Sequence, residues 1–532
     1  MSSGSALLLS VICPGAAVEL TAHLSENGLH GFISFIEEEG QVYVATKLTT
    51  DSSWTWAVRN LPVDYTEIDN RCSDKMLGET IIDLTPILGE VSSNTSSLVS
   101  RSDLIPLTGA TGIWSRSLLL QSEGKRACAT LMASGNSSVK VAEAHFPGDG
   151  RLRGRVLFQW LGSSLASDAV IYSDLHWAND PLRTSHNWRI YTTDVLESEV
   201  DKAKENCNSL QVILMDLGTR LDGIRVGDRK LYRDPNLPQM DTGNKKRQHF
   251  LVLLDNDHPD TYLTCSRIRP RPPTLVRALI SAHGVMGYLN LEQRSQLTPT
   301  RVHLNITRVT EPVLGGFRIH ALPALPPLDN APHLDRCKEI GGVYNPTGKG
   351  IAADAPIPGE QSQDNYAVGD ISGKLGYAAA REWDAFLPLL GKHSVILRTF
   401  VIYRNGESGI EEPWICSTLM RYIWSEPDYK MPMLTAQAVY RYPLVGRVIW
   451  DVSKHYRRTQ MEYNGESSWK RFLQLDRSVN VNESKESVVG DLTERLGVLK
   501  ISGGKKLIRE SRALFTDDNI PVTVTTRFLE NL

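Results

Sequence analysis

The side chains of this sequence that could do chemistry are gathered most densely between Gly315 and Cys416. His320 closes the run GGFRIH (Gly315–His320), and Cys337 stands ahead of VYNP (Val343–Pro346). Asp370 lies inside YAVGDISGKLG (Tyr366–Gly376), FLPLLG (Phe386–Gly391) and LRTFVIY (Leu397–Tyr403) follow, and Cys416 ends WIC (Trp414–Cys416). Imidazole and carboxylate are metal ligands, and thiols either bind metals or close disulfides. Other chemistries lack their motifs: there is no GxSxG, no HExxH and no phosphate-cradling glycine loop before a helix. His176, His186, His249, His258 and His333 show no ligand spacing with a carboxylate or cysteine and read as surface residues.

The elements that would position these residues recur along the chain, and such periodicity is read before any local detail. Cys72 and Cys207 lie 135 positions apart, Cys207 and Cys337 lie 130 apart, and Cys128 and Cys265 keep step at 137. An Asp-aliphatic motif reads DLTPILG from Asp83, DLGTRLD from Asp216, DISGKLG from Asp370 and DLTERLG from Asp491. A Gly ahead of an apolar run recurs at Gly31, Gly154, Gly287 and Gly446. An aliphatic-Pro step recurs at Pro106, Pro238, Pro388 and Pro521. Trp56, Trp188, Phe317 and Trp469 share one position and read as core residues. Four repeats follow: 18–138, 139–270, 274–425 and 430–532. RIRPRPPT (Arg267–Thr274) and SEPDYKMP (Ser425–Pro432) read as linkers, because clustered prolines cannot join a sheet ladder.

Inside each repeat, short runs such as QVYVATKL (Gln41–Leu48) and SVILRTFVIY (Ser394–Tyr403) are rich in β-branched and aromatic residues, with turn residues between them. The expected fold is all-β: a tandem array of antiparallel sandwiches or Greek-key barrels.

The motifs from Gly315 to Cys416 resemble the copper/zinc superoxide dismutase domain, and more closely its tandem, copper-only repeat relatives in secreted animal proteins. The resemblance implies a copper held by an H-x-H pair, by a bridging histidine six residues after the first disulfide cysteine, and by a histidine ending a late strand. In repeat three those positions are Arg318, His320, Val343 and Tyr403, and the position of the family's active-site arginine is Pro413. No histidine lies between Val343 and Asp370, so the zinc set is reduced to Asp370. His320 and Asp370 are therefore read as metal-site relics. The plain alternative for His320 is a satisfied or surface histidine, and for Asp370 a turn residue accepting backbone N–H bonds, since Asp83, Asp216 and Asp491 match it.

The other repeats depart further. The H-x-H positions are Ala57 and Arg59 in repeat one, with Gln121 at the late position, Arg189 and Tyr191 in repeat two, and Lys470 and Phe472 in repeat four. The cysteine-to-Asp loop spans 33 residues in repeat three but 11 and 9 in repeats one and two, too short for the metal-carrying loop. Repeat four lacks a cysteine and a closing strand, which reads as truncation or an open edge. The repeat frame pairs Cys72 with Cys128, Cys207 with Cys265 and Cys337 with Cys416.

A charge of -3 makes no electrostatic case for nucleic acid, and no apolar run reaches the roughly 20 residues a spanning helix needs. Residues 1–17 carry an apolar run and small residues like those of a signal peptide, with a buried first strand as the alternative. Removing Cys13 with that segment leaves six cysteines, an even number. Asn94, Asn136, Asn305 and Asn482 head glycosylation sequons. The expectation is a secreted protein without catalysis, with no cofactor, acting as a binding or structural module toward an extracellular protein or itself. The alternative is a copper-dependent superoxide dismutase, with the metal in repeat three or between repeats.

Overall fold

A computed structural model describes residues 18–422, except 136–137, 148–151, 163–166, 178–181, 194–209, 211, 241–246, 257–260, 309–313, 323, 325–336, 338–339, 349–356, 377–381 and 406–410. Beyond 422 it describes the backbone of the strands Leu434–Tyr440, Gly446–Val452, Arg457–Tyr463, Val498–Leu499, Ser511–Leu514 and Pro521–Glu530. Every strand pairing is antiparallel among the described residues, and the few helices are short turns, so the protein is all-β, built of antiparallel sheets. The chain divides into two compact units. One is Met1–Thr274 with Asn290–Leu304 and Pro346–Ser394, the other Leu275–Leu289 with Asn305–Asn345 and Val395–Leu532.

In the first unit, residues 18–133 build two sheets. The first has the order Ser97–Arg101, Gln41–Thr49, Leu29–Glu38, Glu19–Glu26, Met132–Ala133, and the second Thr80–Asp83, Thr55–Arg59, Ser117–Ser122, Lys125–Thr130. Gln41–Thr49 alternates exposed and buried along its whole length, the period-two signature of a sheet with one wet face. Trp54, Trp56, Trp114 and Phe35 fill the space between the sheets. Residues 138–270 form an eight-stranded sheet, and Leu157, Leu161, Val170, Tyr172 and Leu231 from it join the same apolar core. Asp168 and Arg233, both buried and both on the eight-stranded sheet, pair with each other at this junction, and Arg233 donates across it to the carbonyls of Gly109 and Trp114.

Two recurrent sequence features have a common physical cause here. At Gly31 and Gly154 the φ angle is positive (135° and 121°), and a Cβ would lie about 2 Å from the carbonyl oxygen of the adjacent strand, Lys47 and Asp174 respectively. Only glycine permits that approach. The tryptophan and the Asp motif are likewise coupled. The Trp56 indole donates to the Gly89 carbonyl at 2.7 Å and the Trp188 indole to the Asp222 carbonyl at 2.8 Å. Each acceptor lies six residues after its motif Asp (Asp83 and Asp216), so the turn built by the Asp satisfies the indole buried beneath it.

The second unit holds the three-stranded sheet Leu314–His320, Thr399–Asn405, Glu411–Thr418 and the six-stranded sheet running from Arg457–Tyr463 to Val498–Leu499. A further five-stranded sheet has the order Glu382–Asp384, Thr300–Arg308, Val285–Gln293, Thr274–Ala282, Met420–Tyr422.

Two expectations are corrected. Most of the RIRP stretch is strand, not linker: Tyr262–Pro270 is continuous and Arg269 and Pro270 pair with Glu143 and Ala142. A proline at a strand's last residue needs no ladder donor, so only residues 271–273 connect it to the next strand. His186 and His249 are buried rather than on the surface; His249 lies on the strand Gln248–Leu254, which is covered on both faces. The strand Pro521–Glu530 pairs on one side with Leu434–Tyr440 and on the other with Ser511–Leu514. Asp491, Trp469, Lys470, Phe472, the Ser425–Pro432 stretch, His258, His333, Asn136, Asn482 and residues 1–17 lie outside the described residues.

Candidate functional site

The four positions that resemble copper ligands meet in the second unit. Leu314–His320 and Thr399–Asn405 pair with Phe317 opposite Ile402 and His320 opposite Thr399. The segment 340–344 lies along the same strand: Tyr344 N donates to the Ile319 carbonyl at 2.8 Å, Ala321 N to Gly342 at 3.0 Å and Leu322 N to Ile340 at 2.8 Å. That short ladder sets Val343 opposite His320 as an isolated bridge. The disulfide Cys337–Cys416 ties the segment ahead of this ladder to the Glu411–Thr418 strand.

His320 is buried, and both its ring nitrogens are engaged. Nδ1 lies 2.6 Å from the Gly341 carbonyl and Nε2 lies 2.6 Å from the Tyr403 hydroxyl. A carbonyl can only accept, so Nδ1 carries the proton, and the neutral ring's Nε2 accepts from the Tyr403 O–H. Burial holds the imidazole below its usual pKa, the Gly341 bond opposes this, and the Arg318 charge depresses it further. Arg318 lies over the Tyr403 ring, 4.6 Å from its centroid, with its guanidinium 2.6 Å from a Glu411 carboxylate oxygen. Arg398 stacks 3.5 Å from the centroid of Tyr344 and donates to the Ala321 carbonyl at 2.9 Å.

These residues do not fit a copper ion. Copper of this type takes several neutral imidazoles, whereas the four positions offer one imidazole whose only lone pair accepts from a phenol. Val343 has no donor atom, and Arg318 adds a fixed positive charge. The cluster is a closed hydrogen-bonded and cation–π network, which holds two strands together and leaves no lone pair turned toward a ligand at the imidazole.

Asp370, in the first unit, caps the turn Ile371–Leu375, and its Oδ1 accepts from Gly373 N at 2.9 Å. Its counterparts also accept backbone N–H bonds at the turn, though the helix caps there are Leu84 and Leu217: Asp83 accepts from Thr85 N and Asp216 from Thr219 N, each at 3.1 Å. Asp216 also receives Arg189 Nε at 2.8 Å, so an arginine from the first H-x-H position balances the carboxylate that stands in the place of Asp370. At the corresponding positions of residues 18–133, Arg59 pairs with Asp74 at 2.8 Å, and Ala57 and Leu119 face one another. Gln121 pairs with Thr55 in that ladder, and Tyr191 lies 3.2 Å from the Tyr262 hydroxyl.

Among the described residues one trio of Cys and Glu converges, Glu26 with Cys72 and Cys128. The two sulfurs are already bonded to each other, which removes them as thiolate ligands. Cys265 is disulfide-bonded, and Cys207 lies outside the described residues. Sequence reasoning missed several charged residues that the fold buries. Lys374 and Asp384 are fully buried and 2.5 Å apart, with Lys374 also donating to the Val368 carbonyl at 2.8 Å. Arg71 is buried between Glu26 (3.3 Å), the Ala385 carbonyl and the Phe386 ring, 3.8 Å from its centroid.

No family model matches the chain. Individual relatives do. A Cu-Zn superoxide dismutase of Candida albicans is 28% identical over 149 residues, 26% of this chain and 87% of that protein. Superoxide dismutase [Cu-Zn] 1 of Debaryomyces hansenii is 30% identical over 127 residues, 23% of this chain and 73% of its own length. The Cordyceps militaris enzyme is 30% identical over 146 residues, 26% of this chain and 87% of its own length. The chain belongs to the copper/zinc superoxide dismutase family. Within this dismutase relative, paired strands and the Cys337–Cys416 disulfide stand around a histidine that answers to a tyrosine rather than to further histidines.

Proposed function

We propose that this chain is an extracellular, disulfide-stapled array of dismutase-like repeats that does not dismutate superoxide and works as a binding or structural module. The observation that carries the reading is His320, whose two nitrogens are taken by the Gly341 carbonyl and the Tyr403 hydroxyl. The repeats are 18–138, 139–270, 274–425 and 430–532, with residues 1–17 as a leader. Disulfides belong to oxidising compartments, which supports secretion. Asn94, exposed in a turn, is open to glycan attachment. The partner is an extracellular protein or a second copy of the chain, and no cofactor is needed. No helix among the described residues is long and apolar enough to cross a membrane.

The second reading, a copper-dependent superoxide dismutase, draws on the names of the relatives. Elemental analysis with a superoxide assay on the full chain separates the two. The expected result is copper far below one equivalent and no activity above a heat-denatured control. Stoichiometric copper with activity overturns the proposal.

A further inference from the structure

One outward sheet face of the second unit carries exposed apolar side chains. Leu279 is 67% exposed and Met286 50%, on the neighbouring strands Thr274–Ala282 and Val285–Gln293. Met420, also 50% exposed, pairs with Arg277 at the sheet's other margin. Val285, Leu289 and Leu291 are buried, so Met286 and Tyr288 point to the opposite, outer face. The Arg277 guanidinium lies 5.3 Å from the centroid of the Tyr288 ring on that face.

Asn305 stands beside it. It heads the sequon Asn305-Ile306-Thr307, and its Nδ2 is 3.4 Å from the Tyr288 hydroxyl. The side-chain nitrogen that would carry a sugar therefore projects over the same face as Tyr288, Met286 and Leu279. We propose that Asn305 is N-glycosylated, and that the first N-acetylglucosamine lies on Tyr288 and covers the apolar face formed with Leu279 and Met286.

The inference rests on the secreted reading above, since only chains entering that pathway meet the donor. In the transfer, Asn305 Nδ2 attacks C1 of a lipid-pyrophosphate-linked oligosaccharide. The N–C1 bond forms, the C1–O bond to pyrophosphate breaks, and Nδ2 gives up one proton. The sugar's C–H face is apolar enough to rest on an aromatic ring while its hydroxyls and the glycan beyond remain in water. That coverage supplies what a protein partner would otherwise supply to an exposed apolar patch.

The test uses the full chain secreted from animal cells behind an appended leader, with Asn94 as an internal control. Enzymatic glycan release in heavy-oxygen water, followed by peptide mass spectrometry, should mark Asn305 in most molecules. Asn305→Gln and Thr307→Ala should each raise apolar-dye binding several-fold, and adding Leu279→Glu and Met286→Glu should return it to the starting level. Secreted protein glycosylated at Asn94 but unmarked at Asn305 overturns the proposal, as does loss of the Asn305 glycan without change in dye binding. Retention inside the cell of the chain carrying its own first 17 residues, while the leader-bearing chain passes these tests, counts against the secreted reading alone.

Discussion

Tyr403 donates its hydroxyl proton to Nε2 of His320 across 2.6 Å, the two residues standing at positions where the family resemblance expects two copper-ligating histidines. Replacing Tyr403 by Phe leaves that buried nitrogen without a donor. The expected cost is about 1–3 kcal/mol, the desolvation of an orphaned polar group. It would be read as a lower urea midpoint at unchanged slope, and an unchanged midpoint would show the bond to be dispensable.

Copper affinity should be recoverable. Arg318→His, Val343→His and Tyr403→His together with His320 place four imidazoles on the strands that now hold the network. The triple variant should bind Cu(II) at least tenfold more tightly than the parent by competition with a chelator. Equal affinity in the two proteins would mean that these positions do not converge.

The stability of the fold should fall on acidification through a histidine outside this network. Burial lowers the pKa of His23, which sits 5.3 Å from the Trp383 ring, from 6.5 to about 4. Between those values the unfolded chain binds the proton and the folded one does not, so stability is lost as pH falls from about 6.5 toward 4. The full effect is on the order of 3 kcal/mol. Glu26 acts in the opposite sense: burial raises its pKa, so its contribution is present at low pH and lost as pH rises through the raised value. The measurement is therefore the difference between the parent and His23→Gln from pH 7 to pH 4.5, and His23→Gln should show the shallower loss.

Cys337 and Cys416, 79 residues apart, close a long loop in the second unit. Replacing both by serine should cost roughly 4 kcal/mol in the chain-entropy model. Differential scanning calorimetry should show the loss as a lowered transition, and reductant should then have little further effect on that unit.

Lys374 and Asp384 have no water to fall back on. Lys374→Met strands a buried carboxylate and should destabilise by about 3–5 kcal/mol, whereas Lys374→Met with Asp384→Leu should recover most of it. A double variant no more stable than the single one would place the cost in packing rather than in the unpaired charge.

The all-β class, the dismutase-like order of motifs and the recurrence of Asp, Gly and Trp markers were legible in the sequence, because each reflects a local demand. Strand alternation, the positive-φ glycines Gly31 and Gly154 and the turns in which Asp accepts backbone N–H bonds depend on residues close in sequence or on one neighbouring strand. The poverty of metal ligands was legible for the same reason, since Arg318, Val343 and Tyr403 can be read off without knowing where they lie. What those residues do instead was not legible. The His320 tautomer depends on the Gly341 carbonyl and on Tyr403, 83 positions away, and the Arg318–Glu411 pair on strands that meet only in the folded sheet. The buried ions Lys374, Asp384, Arg71 and Arg233 look like surface charges in a sequence, because burial is set by what packs over a side chain and not by its neighbours along the chain.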